Sequence, residues 1–583
     1  MENHYTNARN VQIVIALMKA HGVKKVVASP GATDMAIVAS MQQDPYFEMY
    51  SSIDERSAAY MACGMAAECG EPVAITCTGA TSSRNYMPGM TEAYYRQLPI
   101  LAITCSRSNA NIGHYVDQVT DRTQLPSDIA MESVQAQSIH CAEDEWDVMV
   151  KVNKALIGLT RNGGGPCHIN LVTAGSSDFA TKEIAPVRKI TLYQKDDKFP
   201  EIPDGKVGIF VGAHEKWSDE LTEAVDKFCS IYNAMVICDP TSNYKGKYRV
   251  LMPLLCEQAK EEIGGEQLDL MIQIGFVSSM LFKKAKVMWR VSKDGVVRDT
   301  FRKTNSIFQM SELDFFTKMI QNREERENTV YPEYKERYDA LLSSLPELPF
   351  SNIWVAQQIT GRLPENSVLH LGIRNSLRSW GYFDIPKSVL SYCNTGGFGI
   401  DGGISSLIGA SMMSPNKIFF GVFGDLLFFY DMNSLGNRDI KSNVRIMVVN
   451  NGLGQEFKNV SFPGSLLLGD NIDKFTAAKG HFACQSRTLI KNYAENLGFE
   501  YLTASNKEEF ASVYERFITP DITERPMLFE VFTDTKDETE AHKLTTSIEL
   551  KSKVIRKVHD TLMKPELIPV KNLAKNILKN NNN

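Results

Sequence analysis

The stretch VFGDLLFFYD, residues 422–431, sets an aspartate, Asp425, directly after a glycine inside otherwise continuous core-type sequence. A lone carboxylate in apolar surroundings is costly unless it is paired or holds a metal ion. The next apolar run, VRIMVVNN (444–451), ends in Asn450 and Asn451, the latter 26 residues beyond Asp425. That interval suits a strand–helix–strand crossover, which sets two parallel strand ends side by side. Ligands of open parallel sheets bind beyond those carboxyl ends. Asp425, Asn451 and a nearby backbone carbonyl therefore offer three oxygens to one hard divalent cation, and Mg²⁺ takes its remaining ligands from phosphate and water. Two plainer readings stand beside this one. A Gly-Asp pair after a strand also opens a helix, and Asn-Asn-Gly also marks a turn.

The same grammar extends outward along the chain. VKKVVASPG, PVAITCTGA, LPILAITCS and GPCHINLVT read as buried strands in the first third, with NVQIVIALMKAHG and AYMACGMAAE as helices between them. Apolar strands alternating with helices predict parallel sheets covered on both faces. Charged, proline-bearing stretches at 181–206 and 321–351 read as linkers. They divide the chain into three α/β units, each a mainly parallel sheet flanked by helices. The tail ending KNILKNNNN reads as frayed.

With 583 residues the chain is too long for one core, and 43% hydrophobic and 23% charged residues are ordinary for a soluble protein. A net charge of −6 carries no basic excess, so no nucleic-acid partner is expected. The polar start MENHYTNARN lacks a signal-peptide core, and no apolar run has the length of a membrane span. Eleven scattered cysteines without a C-x-x-C pair fit a reducing compartment. The expectation is a cytoplasmic, multidomain protein.

Far upstream, in YSSIDERSAAYMACGMAAECG, Glu55 ends a strand-like run and opens an alanine-rich helix. An acid there is favoured by the helix dipole, and Asp54 could serve the same purpose.

Taken together, Gly424-Asp425, Asn450-Asn451 and Glu55 resemble the motifs of thiamine-diphosphate enzymes of the decarboxylase and acetolactate-synthase type. Within that family the chain is similar to the 2-succinyl-5-enolpyruvyl-6-hydroxy-3-cyclohexene-1-carboxylate synthases. The likeness runs in order through ASPGATD (28–34), SIDERSAAYMACGMA (52–66), TGATSSRNYMPGMTEA (78–93), MWRVSKDGVVRD (288–299), NSL (375–377), NTGGFGIDGGISS (394–406), GDLLFFYDMNSL (424–435) and VVNNGLGQEF (448–457). Leu426, directly after the Gly-Asp pair, is a feature of that branch.

The resemblance implies a pyrimidine-binding domain (1–182), a central domain (183–345), a diphosphate- and Mg²⁺-binding domain (346–545) and a tail (546–583). It implies thiamine diphosphate and Mg²⁺ as cofactors, with Asp425, Asn451 and the Leu453 carbonyl on the metal. Gly399, Ile400, Gly424, Leu426, Pro30 and Asn85 would contact the cofactor, Ile400 by bending it. Glu55 would be catalytic, hydrogen-bonding the pyrimidine ring from a carboxyl whose pKa is raised. The implied activity is decarboxylation of a 2-oxo acid with transfer of the resulting acyl carbanion to an acceptor. The alternatives are simple release of an aldehyde and a non-catalytic relative. A homodimer or homotetramer is implied, because the family shares its site between subunits.

The likeness breaks where substrates are read. Thr33, Thr395 and Trp380 stand where arginines are expected, and arginine suits carboxylates through paired hydrogen bonds. Arg107, Gln118 and Arg378 remain as candidate substrate contacts, and Arg84 is a candidate to point inward. A sister activity on different substrates follows.

Overall fold

The computed structural model describes residues 4–173, 178–258, 267–280, 282, 284–458, 463–481 and 486–549. The expected tail from 550 onward lies outside the described residues. The chain falls into two compact units, Met1–Glu201 with Val287–Ser311, and Ile202–Lys286 with Glu312–Asn583. Three sheets of six, seven and six strands carry the fold, and their pairings are parallel.

The first sheet contains β1 (Lys25–Ala28), β2 (Glu48–Ser51), β3 (Val73–Thr78), β4 (Ile100–Ser106), β5 (Glu132–Ala136) and β6 (Cys167–Val172). Its order is β2-β1-β3-β4-β6-β5. Every residue of β3, β4 and β6 is buried, as a sheet covered by helices on both faces requires.

The middle sheet contains β7 (Thr191–Tyr193), β8 (Val207–Val211), β9 (Ala234–Cys238), β10 (Arg249–Leu251), β11 (Leu268–Ile274), β12 (Ala285–Val291) and β13 (Thr304–Phe308). In the first unit β12 from Val287, β13 and β7 lie in that order, and in the second unit the order is β10-β9-β8-β11.

The third sheet contains β14 (Ser367–Leu371), β15 (Leu390–Tyr392), β16 (Ile418–Gly424), β17 (Val444–Asn450), β18 (Glu500–Ala504) and β19 (Met527–Phe532). Its order, β15-β14-β16-β17-β19-β18, repeats that of the first sheet strand for strand. In both, chain direction across the sheet reverses beside the first strand, which opens a crevice at the carboxyl ends of β1 and β3 and of β14 and β16.

Two expected linkers carry structure. Residues 181–206 include β7, a three-residue edge strand paired with β13, too short and half-buried to show an apolar run. Residues 321–351 include the helix Val330–Ser343, which buries Val330, Tyr334, Tyr338 and Leu341 along one face. Its charges sit on the other face and obscure the period. No described helix is long and apolar enough to cross a membrane.

Candidate active site

In the first unit, Asp54 caps the helix Glu55–Cys69, its side chain accepting from the Arg56 and Ser57 N–H groups. Glu55 is thereby released from capping. Its Oε2 accepts from Asn85 Nδ2 at 3.0 Å, and the Ser82 hydroxyl also donates to it. Burial pushes the carboxyl up, but Asn85 and Ser82 outweigh it and hold the group below its ordinary range. This corrects the expected raised pKa. In this chain the carboxyl is only half-buried, and two donors stabilise its charged form.

Pro30 is exposed in the loop after β1. A Cβ on the following Gly31 would lie 1.8 Å from Thr78 Cγ2, so glycine lets this loop close on the end of β3. Thr33 is taken up by the framework: its hydroxyl donates to the Cys105 carbonyl at 2.6 Å, and its own carbonyl accepts from Thr173 Oγ1 at 2.5 Å.

The loop after β4 carries the other candidates. Arg107 pairs with Asp117 at 2.7 Å, and Gln118 is exposed in a left-handed conformation, φ 57°. This loop is clasped to the loop after β3 by two arginines that sequence reasoning did not pair. Arg84 Nη2 donates to the Asp121 carbonyl at 2.8 Å, and the residue also lines a cavity with Tyr86, Thr104 and Arg122. Arg122, buried, donates in return to the Gly79 carbonyl, to Thr120 Oγ1 at 2.7 Å and to Asn170 Oδ1 at 3.1 Å.

In the second unit, β16 and β17 run side by side with Gly424 opposite Val449, so Asp425 and Asn451 leave adjacent strand ends. Asp425 opens the helix Asp425–Asp431 and is 5% exposed. Burial pushes its carboxyl up to about 7, opposed by the N–H groups of Leu426 and Gly452. The Gly452 contact draws the Asn451 turn onto Asp425. Asn451 Oδ1 accepts from the Leu453 N–H at 3.3 Å, and the buried Leu453 carbonyl accepts from the Gln455 N–H at 3.0 Å with a second lone pair to spare. A Cβ on Gly424 would meet nothing within 4 Å.

A cavity in the same unit is lined by Leu427, two residues past Asp425, and by Gly372, Ile373, Asn394, Gly399 and Gly403 among others. Ile400 is half-buried and packs on the core containing Phe423 and Leu427. No described lysine or arginine pairs with Asp425. A buried carboxylate without a protein cation, an amide oxygen and a carbonyl make an all-oxygen set that fits Mg²⁺, and the open glycine start leaves room for a diphosphate.

Arg378, the third candidate substrate contact, is paired within the fold. Its Nη1 and Nη2 fork onto the Glu456 carboxylate at 2.7 and 2.6 Å, which neutralises it inside the fold. The residue missed by sequence reasoning is Arg374, after β14. It is exposed, its guanidinium lies 4.9 Å from the Phe398 ring centroid, and its backbone sits at φ 70°, ψ −112°. No sequence signal marks that conformation.

Two sheets of one strand order, one with a glutamate-headed helix near its carboxyl edge and one with a buried carboxylate at its switch point, are consistent with the class of thiamine-diphosphate-dependent enzymes. Residues 9–125 match the family described as "Thiamine pyrophosphate enzyme, N-terminal TPP binding domain". The 2-succinyl-5-enolpyruvyl-6-hydroxy-3-cyclohexene-1-carboxylate synthase of Phocaeicola vulgatus is 30% identical, covering 92% of this chain and 97% of its own. Its counterpart from Bacteroides fragilis is 31% identical over 91% and 97%. The solved Rhodococcus jostii thiamine diphosphate-dependent 4-hydroxybenzoylformate decarboxylase aligns with 90% of this chain and 99% of its own at 15% identity and a TM-score of 0.36. The chain belongs to the thiamine-diphosphate-dependent enzymes, of the type that includes these synthases.

Proposed function

We propose that the protein uses thiamine diphosphate and Mg²⁺ to decarboxylate a 2-oxo acid and to transfer the acyl unit to an acceptor, forming a carbon–carbon bond. The observation that carries this reading is the buried Asp425 carboxylate, which has no cationic partner among the described residues and shares its strand edge with the Asn451 turn. Asp425, Asn451 and the Leu453 carbonyl would hold the metal, with Gly424, Leu426 and Gly399 around the diphosphate and Ile400 against the rings. Pro30 and Asn85 would border the pyrimidine.

When bound, thiamine diphosphate supplies a nucleophilic ring carbon for the 2-oxo carbonyl and an electron sink for the bond to CO₂. Glu55, oriented by Asn85 and Ser82, would present its proton-exchanging carboxyl to a pyrimidine nitrogen. Covering that half-buried carboxyl with a second subunit would remove water from the site. Ile53, Tyr60 and Met61, which are 84%, 47% and 43% exposed on and just before the Glu55 helix, support such an association surface. Arg107 and Gln118 would face substrate. A homodimer or homotetramer in the cytoplasm completes the reading, with the domains divided at 182/183 and 345/346.

The test is product analysis. Pyruvate, 2-oxoglutarate and longer 2-oxo acids are incubated with protein, ThDP and Mg²⁺, with and without aldehyde or enoate acceptors. CO₂ release coupled to a ligated product supports the proposal. Release with only free aldehyde replaces it with simple decarboxylation, and no release from any acid rejects it.

A further inference from the structure

Arg374 stands at the reversal point of the third sheet, three residues past β14 and directly after Ile373, which lines the cavity together with Gly399. We propose that Arg374 is a specificity residue that binds a carboxylate of the substrate remote from the reacting carbonyl. This rests on the functional reading above.

Three observations converge on it. The backbone at φ 70°, ψ −112° lies where only glycine rests comfortably, yet the chain keeps a long cationic side chain there. Strain of this kind persists where the surrounding structure holds it, and it concentrates at ligand-binding positions. The guanidinium carbon lies over the ring of Phe398, itself at φ 57° and directly before the cavity-lining Gly399. A guanidinium held over a ring by cation–π attraction spends no N–H donor on that contact, and its donors match a carboxylate through two parallel hydrogen bonds. Finally, no acidic residue among the described ones pairs with Arg374. Arg378, one helical turn away, is consumed by Glu456 and Glu257. Thr395, on the facing loop, is buried and adds no charge. Among the described residues Arg374 is thus a cation next to the cavity-lining Ile373 with no acidic partner.

The carboxylate could belong to the 2-oxo acid or to the acceptor, and the experiment separates them. Wild type, Arg374→Met and Arg374→Gly are loaded with ThDP and Mg²⁺. CO₂ release is measured for 2-oxoglutarate and for 2-oxovalerate, which has the same length without the distal carboxylate. If the donor carries the group, wild type prefers 2-oxoglutarate by at least about tenfold in kcat/KM, and both variants lose the preference through KM while turnover of 2-oxovalerate stays level. If the acceptor carries it, donor KM stays fixed and the KM of a carboxylate-bearing acceptor rises by a similar factor. ThDP affinity should stay within about twofold throughout. Arg374→Gly should melt at or above wild type, because it relieves the backbone, whereas an arginine kept for the fold would melt lower when removed. Unchanged KM for both substrates in an active enzyme overturns the proposal. Absence of any ThDP-dependent release by wild type overturns the functional reading and the proposal with it.

Discussion

In the proposed reaction Glu55 and Asp425 are the two acids that carry the chemistry, and their settings differ. Glu55 keeps water on one side and two donors on its carboxylate, whereas Asp425 is enclosed and opposed only by backbone N–H groups. Glu55→Gln keeps the shape and the Asn85 contact but cannot exchange a proton. It should lower ThDP-dependent CO₂ release by roughly 10²–10⁴-fold while leaving the melting temperature and ThDP affinity close to wild type. A loss of folding instead would assign Glu55 a structural part. Both acids were legible because each interrupts a pattern: Asp425 breaks an apolar run, and Glu55 follows a second acid that already suits the cap. The arginines were not. Arg378 finds its partner, Glu456, 78 residues away, and no spacing rule marks a fork of that reach. Arg374, the cation of the proposed carboxylate site, is distinguished by a backbone angle that no sequence pattern marks.

At the scale of elements, the loops after β3 and β4 are locked by the exchanged contacts of Arg84 and Arg122. Arg122→Met should reduce kcat/KM by roughly 10–100-fold through misplacement of Arg107 and Gln118, and Arg84→Met by less. Steady-state kinetics on the best 2-oxo acid checks this, and a change confined to stability would contradict it. A second element, the helix Thr535–Thr546, docks through buried Glu538, whose Oε1 accepts from the Asn352 N–H at 2.9 Å and from Thr533 Oγ1 at 2.7 Å. Burial pushes its carboxyl up to about 7 from an ordinary 4.5. The folded state therefore holds the proton more tightly than the unfolded chain. Stability present below pH 4.5 is lost as the pH rises through 7. Glu538→Gln removes this dependence. Urea melts should show it equal to wild type near pH 4.5 and more stable by on the order of 2–3 kcal/mol above pH 8. Long buried strands were readable as apolar runs. The three-residue β7 and β10, and the charged helix Val330–Ser343, were not, because pairing and one buried face decide them rather than composition.

At the scale of the molecule, the alternation of strands and helices announced three parallel sheets. The matched order of the first and third sheets could not be seen in it, since strand order depends on contacts rather than on sequence distance. The exposed Ile53, Tyr60 and Met61 lie beside Glu55, so association and catalysis should be coupled. Sedimentation should give a dimer or larger for wild type, and Ile53→Glu with Tyr60→Glu should give a monomer that has lost turnover. A fully active monomer would remove the need for a second subunit. The most direct test of the whole account is equilibrium binding of ThDP, by calorimetry, to wild type and to Asp425→Asn, with Mg²⁺ and with chelator. The account predicts saturable binding that requires the divalent ion and weakens by at least about 100-fold in the variant. Binding that ignores both the metal and the Asp425 substitution, or no binding at all, would contradict it.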